Sequence, residues 1–483
     1  MYKPSQARPK LATRAAVAAI LLICGSVAPA YAQRPAEGPV ADGWRALQAG
    51  RLLTARRSFT DALEASPQDV RALEGLARVA AREGDAAEAI GHYEAALRHA
   101  PDTARMRVAV GMLLSDMREH GRAVEHLRQA TELDAENAAT WSAYAQALWR
   151  VEWYPQAATA YQRAITLDPS DAWSLVGLGD THLRAGELDE AIAAYDKALE
   201  QDADAHAAHC GRGAALSKLG KFDAALASLR QAVTLRDDYG PAFYEMGVVL
   251  QHQKEYEDAI RAFGRATQLN GWDAPSVTNI ARCYARLGKR DLARKAHEHA
   301  AKLQKAQSDH AIATAYTSQY PDLPDGYVGL GAVYARMGQN SEAIKAYKQA
   351  LARAPRNVAA HFGLGDVYLN ARMIAEAADI HRVLVTLRPG DIETRAMLGM
   401  LLRELGEEDE SRTVLLTAHA LSSARVTESG HANDWNLLAY VLYAQADYAA
   451  AESAMTEAIR LNPIESSYAG RLAQIRAARA APR

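Results

Sequence analysis

The sequence predicts an all-α chain, a right-handed superhelical solenoid of about twelve helix–turn–helix repeats. Three observations predict it. Residue types recur at a fixed spacing of 34; alanine marks Ala55, Ala89, Ala123, Ala157, Ala191, Ala225, Ala259 and Ala293 without a slip, then Ala343, Ala377 and Ala451 after two insertions. A large residue follows that alanine at i+4 and a small one at i+7, as in Ala191, Tyr195 and Ala198, which puts all three on one helix face. Glycine and proline fall at fixed offsets: Gly186 suits the left-handed end of a first helix, and Pro169 suits the stop of a second. A period in this range is the mark of stacked helical hairpins, each resting on its neighbours.

In chain order, Lys3, Arg8, Lys10 and Arg14 precede an apolar run from Ala15 to Val27 and small residues at Ala30 and Ala32. This is the pattern of a secretory signal peptide over 1–32, cut after Ala32, with an apolar run too short for a relaxed membrane span. Cleavage would take the formal net charge from −3 to about −7, which argues against a general nucleic-acid binder. An exported, periplasmic bacterial location is expected. Residues 33–40 read as a flexible lead. Eight repeats occupy 36–305, the first degenerate, as a terminal repeat often is.

Between Ala293 and Ala343 the spacing is 50. The extra residues, 306–323, contain little Gly or Pro before Tyr320, so the second helix of repeat eight is expected to extend. Tyr320 to Asp325 reads as a turn restarting the array, and the insertion is a candidate hinge. Four more repeats fill 324–463, with Ser411 standing in the alanine column. Ser423 to Gly430 reads as an exposed loop. Residues 464–483 read as a capping helix, with Tyr468, Leu472 and Ile475 on one face and Arg471, Arg476 and Arg479 in water.

The large residue, Leu178-Gly179, Ala191, Tyr195, Ala198 and proline columns resemble the tetratricopeptide repeat (TPR) family over roughly 36–463. The resemblance implies that the first helix of each repeat lines an inner groove where partners bind. Two residues after the Tyr284 column, that helix carries Arg150, Arg184, Lys218, His252, Arg286 and Arg336, a basic ladder suited to an acidic peptide or an anionic glycan. Aromatics that could point inward are Trp149, Trp173, Tyr244, Phe362, Tyr440 and Tyr443. The carboxylate-clamp set of chaperone-binding relatives is missing except for Asn279, and so is an asparagine ladder.

No phosphate loop, nucleophile elbow or zinc-protease helix occurs. His206, His209 and Cys210 share a helix face with metal-ligand spacing, but His209 also fills the large-residue core column, so no metal or cofactor is expected. Cys210 and Cys283 lie two repeats apart, too far for a disulfide. The chain is therefore expected to be a non-enzymatic scaffold for protein partners in an envelope assembly, with no nucleic-acid partner and no stable membrane span after signal cleavage. As an exported chain of many repeats it is similar to the periplasmic TPR parts of exopolysaccharide export systems, such as those secreting cellulose or poly-N-acetylglucosamine. No β-barrel is expected after the array, so a partner is expected to supply the pore. The alternative is a soluble carrier of polysaccharide or another anionic ligand.

Overall fold

The computed structural model describes residues 38–480, and the segment read as a signal peptide lies outside them. The described residues hold 25 helices and no strand. They divide into two compact units, one up to Glu298 and one from His299.

The first unit holds α1 (Pro39–Gln48) with α2 (Leu52–Ala65), α3 (Val70–Glu83) with α4 (Ala86–His99), α5 (Ala104–Asp116) with α6 (His120–Leu133), and α7 (Ala138–Arg150) with α8 (Tyr154–Leu167). It continues with α9 (Ala172–Ala185) and α10 (Leu188–Gln201), α11 (His206–Lys218) and α12 (Phe222–Leu235), α13 (Gly240–His252) and α14 (Tyr256–Leu269), then α15 (Ala274–Arg286) and the start of α16 (Arg290–Gln319). The second unit takes up the rest of α16, then α17 (Pro324–Arg336) with α18 (Asn340–Arg353), and α19 (Val358–Asn370) with α20 (Ile374–Leu387). It ends with α21 (Ile392–Glu404) and α22 (Glu408–Glu428), α23 (Ala432–Ala444) and α24 (Tyr448–Leu461), and α25 (Ser466–Ala480).

Repeat five shows why the columns exist. Asp171 caps α9 by accepting from the Trp173 amide, satisfying an end group that the helix itself cannot. Gly186 turns the chain with φ 85°. Asp189 and Glu190 open α10, where the helix dipole favours acids. Ala191, Tyr195 and Ala198 are fully buried. The glycines do a more specific job than letting two helices approach. A Cβ on Gly179 would lie 2.6 Å from the Tyr195 ring, and one on Gly211 of the next repeat would collide with the same ring. The ring therefore sits between two glycines of consecutive first helices. Phe59 does the same with Gly43 and Gly75, and Tyr347 with Gly331 and Gly363.

The turn of Gly186 persists where the sequence offers no glycine. Arg118, Glu152, Lys254, Arg372 and Ala446 occupy the same repeat position with positive φ, a conformation that costs an L residue about 1–2 kcal/mol. Ser411 fits the alanine column because its hydroxyl donates to the Gly399 carbonyl at 2.7 Å.

Two expectations need correction. The lead ends at Gly38, because Pro39 and Val40 already belong to α1, with proline in the first turn where its missing N–H is harmless. Residues 423–428 are not a loop but the last turns of α22. Ser422 is buried, and the hydroxyl of Thr427 bonds the Ser423 carbonyl. In the other insertion, α16 is one helix of 30 residues through Gln319, and the Leu323 amide then bonds the Tyr320 carbonyl in a turn.

Candidate functional site: the face built by the first helices

Within the first unit, first helices of consecutive repeats touch, as α7 does α9, α9 does α11 and α11 does α13. The polar residues of these four helices therefore share one face. In the first unit this face carries Arg150, Arg184 and Lys218, all exposed. The guanidinium carbons of Arg150 and Arg184 lie 5.6 and 5.7 Å from the Trp149 ring centre. Arg286 is exposed, whereas His252 stacks on Phe222 with centroids 5.5 Å apart. In the second unit Arg336 is tied to Asp309 of α16 at 2.6 Å.

Carboxylates interleave with these cations, so the face is mixed rather than uniformly basic. Burial raises the Asp116 carboxyl, opposed by Arg150. Burial likewise raises Asp180, opposed by Tyr195 Oη, which donates to Asp180 Oδ1 at 2.6 Å, and by Arg184. Glu245 is raised by burial and opposed by Lys218 and Arg184. Burial, with Glu245 and Asp180 nearby, pushes the Cys210 thiol well above its usual range, so it is a protonated core thiol and not a nucleophile.

His206, His209 and Cys210 do not converge on one point. His206 Nε2 faces Arg236 at 3.2 Å, and its ring meets Tyr239 edge-on. His209 Nε2 bonds the Ala203 carbonyl at 3.1 Å. Among the described residues no group of three or more His, Cys, Asp or Glu could hold a metal ion. Cys210 and Cys283 are buried free thiols, and Asn279 pairs with Arg282.

The second unit contains a cavity of about 860 Å³ bounded by α19, α21 and α23. It brings together Phe362 and Tyr440, two of the six aromatics expected on this face. Trp149 stays between its arginines, Trp173 is 62% exposed, Tyr244 packs edge-on against Phe263, and Tyr443 lines a smaller recess with Tyr440 and Arg471. Arg471 is not a free solvent cation, as the sequence suggested. It donates to Asn436 at 2.7 Å and lines the cavity, because α25 packs back on the array. Arg476 and Arg479 both pair with Glu452.

Residues missed from the sequence are Asp366, His381, Arg388, Thr394 and Arg425, all lining the same cavity. One signal was available: His381 stands in the column of Tyr195 and Tyr347, and Met397 in the column of Gly211 and Gly363. The smaller ring and the missing hydroxyl leave Asp366 without the partner that Tyr195 gives Asp180.

The repeat model described as "Tetratricopeptide repeat" matches residues 40–104, 109–172, 145–208, 176–240, 210–275 and 328–392, and a second such model matches 435–465. The chain belongs to the tetratricopeptide repeat family. As a TPR protein it is a scaffold for protein–protein interaction. Among curated proteins it is 43% identical over 75 residues to cellulose synthase operon protein C of Komagataeibacter xylinus, covering 15% of this chain and 6% of that protein. It is 29% identical over 136 residues to the human protein O-mannosyl-transferase TMTC1, covering 28% of this chain and 15% of that protein. This TPR chain thus spans a small part of the length of either relative. A solved TPR protein from Parabacteroides merdae superposes with TM-score 0.44 at 16% identity, covering 51% of this chain and 97% of that one.

Proposed function

We propose that this chain is an exported, non-enzymatic TPR adaptor that holds protein segments of a bacterial envelope assembly, of the exopolysaccharide-secretion kind, on its first-helix face. The mixed charge of that face carries the reading. Asp180 and Glu245 stand among Arg184 and Lys218, an arrangement suited to a peptide, which presents both donors and acceptors. A polyanionic glycan would meet carboxylates at every second step. The amino-terminal sequence supports export, and the likeness to cellulose synthase operon protein C supports the class of assembly.

The test is affinity capture from envelope extract with residues 33–483, together with N-terminal sequencing of the protein recovered from fractionated cells. Stoichiometric envelope proteins and a start at Gln33 are expected. Retention of acidic glycan without protein would favour the carrier, and a cytosolic chain with an intact amino terminus would overturn export.

A further inference from the structure

We infer that the cavity over α19, α21 and α23 docks an extended segment of a partner protein bearing one acidic side chain beside a large apolar one. This deepens the adaptor reading and rests on it for the kind of partner.

Two linked departures from the repeat line this volume of about 860 Å³. In repeat five the Tyr195 ring fills the space between α9 and α11, against Gly179 and Gly211. In repeat ten the column residue is His381, with no phenol to reach Asp366. A Cβ on Gly365 would stand 3.1 Å from the His381 ring, a looser fit than at Gly179. Phe362, Leu369, Met397, Leu437 and Tyr440 supply apolar surface.

The polar groups indicate what belongs there. Thr394 is 3% exposed, and its buried Oγ1 has no partner. The same repeat position behaves differently elsewhere: Ser174 Oγ donates to its N-cap Asp171 at 2.5 Å, and Ser276 to Asp273. At Thr394 the N-cap Asp391 instead pairs with Arg388 at 3.3 Å. A buried hydroxyl without a partner is destabilising, and a ligand polar group would relieve it.

Arg425 and Arg471 offer guanidinium hydrogens to a carboxylate, where bidentate geometry favours arginine. The same lining holds Asp366, which has no hydrogen-bond partner among the described residues. The His381 Nδ1–H donates to the Ala377 carbonyl at 2.8 Å. Burial keeps that ring neutral, which leaves Nε2 as an acceptor. Donors and acceptors within one lining match a peptide backbone with one carboxylate side chain. A repeating polyanion would be repelled by Asp366 and Glu393.

The test uses residues 33–483 on an array of random acetylated, amidated nonapeptides, with affinities of recovered peptides read by fluorescence anisotropy. Recovered peptides should share an acidic residue next to an aromatic or branched one. Arg425→Glu should weaken them at least tenfold, and Thr394→Val about threefold. Arg425 is exposed and has no side-chain partner among the described residues, so its replacement leaves the fold intact, which unchanged hydrogen exchange in α19 to α25 would verify. Failure to recover peptides, recovery of peptides without an acid, undiminished binding to Arg425→Glu, or preference for polygalacturonate would each overturn the site. An envelope partner captured equally well by Arg425→Glu would remove the cavity while leaving the adaptor. Array peptides bound through Arg425 with no envelope partner captured would keep the cavity and remove the envelope assignment.

Discussion

Repeats five and ten carry aspartate at the same place on their first helices, and treat it in opposite ways. Asp180 receives the hydroxyl of Tyr195, whose ring is fully buried between two glycines. Asp366 faces His381, the next repeat offers Met397 instead of glycine, and a cavity opens beside it. One array thus holds a closed and an open version of the same joint. The difference is one of filling: the Tyr195 ring spans its joint, and the His381 ring falls short of the same span.

The largest effect should come from emptying the filled joint. Tyr195→Ala should cost about 3–5 kcal/mol of local stability, the range for a large aromatic removed from a core. His381→Ala should cost clearly less, since its surroundings are already open. Hydrogen exchange resolved by repeat would measure both, because each repeat depends mainly on its neighbours. Equal losses at the two sites would break the contrast.

Next come the glycines. Gly179→Ala should destabilise by about 1–3 kcal/mol, because its methyl group would enter the Tyr195 ring. Gly365→Ala should be close to neutral, since the helix propensity gained, about 0.5–1 kcal/mol, offsets a tight but tolerable contact with His381. The double variant His381→Tyr with Met397→Gly should convert the open joint into the closed one and abolish peptide binding, as read by anisotropy.

A subtler difference lies in pH. Burial raises the Asp180 carboxyl, so the folded state holds its proton at a pH where the unfolded chain has released it. Stability from this group is fully present below the unfolded value of about 3.9 and is lost as pH rises through the higher folded value. Asp180→Asn keeps an oxygen for Tyr195 and carries no charge. Its thermal midpoint should exceed the parent's at pH 8, and the two should converge near pH 4.

The smallest effect is at a turn. Ala446→Gly should stabilise by about 1 kcal/mol, because φ 61° suits glycine. Gly186→Ala, the reverse change at φ 85°, should destabilise by a similar amount.

Most of the array was legible because its rules are local. Alanine at 191, glycine at 186 and the acids opening α10 act within one hairpin, so their spacing survives in the sequence. The loop expected at 423–430 failed because Ser, Thr and Glu also fit the exposed end of a helix, and α22 continues on the strength of a buried Ser422. The basic ladder was visible as a column, with Asp116 standing in that same column one repeat before Arg150. Asp180 and Glu245 sit at other repeat positions and join the ladder only when helices stack.

The amino-acid order thus specifies the hairpin, its period and the family, since helix propensity, capping and left-handed turns depend on neighbours along the chain. It also specifies where columns are broken, His381 and Met397 among these places. That these two breaks meet, and that Arg425 from α22 and Arg471 from α25 close on the same space beside an unpartnered Thr394, was decided by tertiary packing. Burial and charge pairing arise between residues far apart in sequence, and no local rule carries that information.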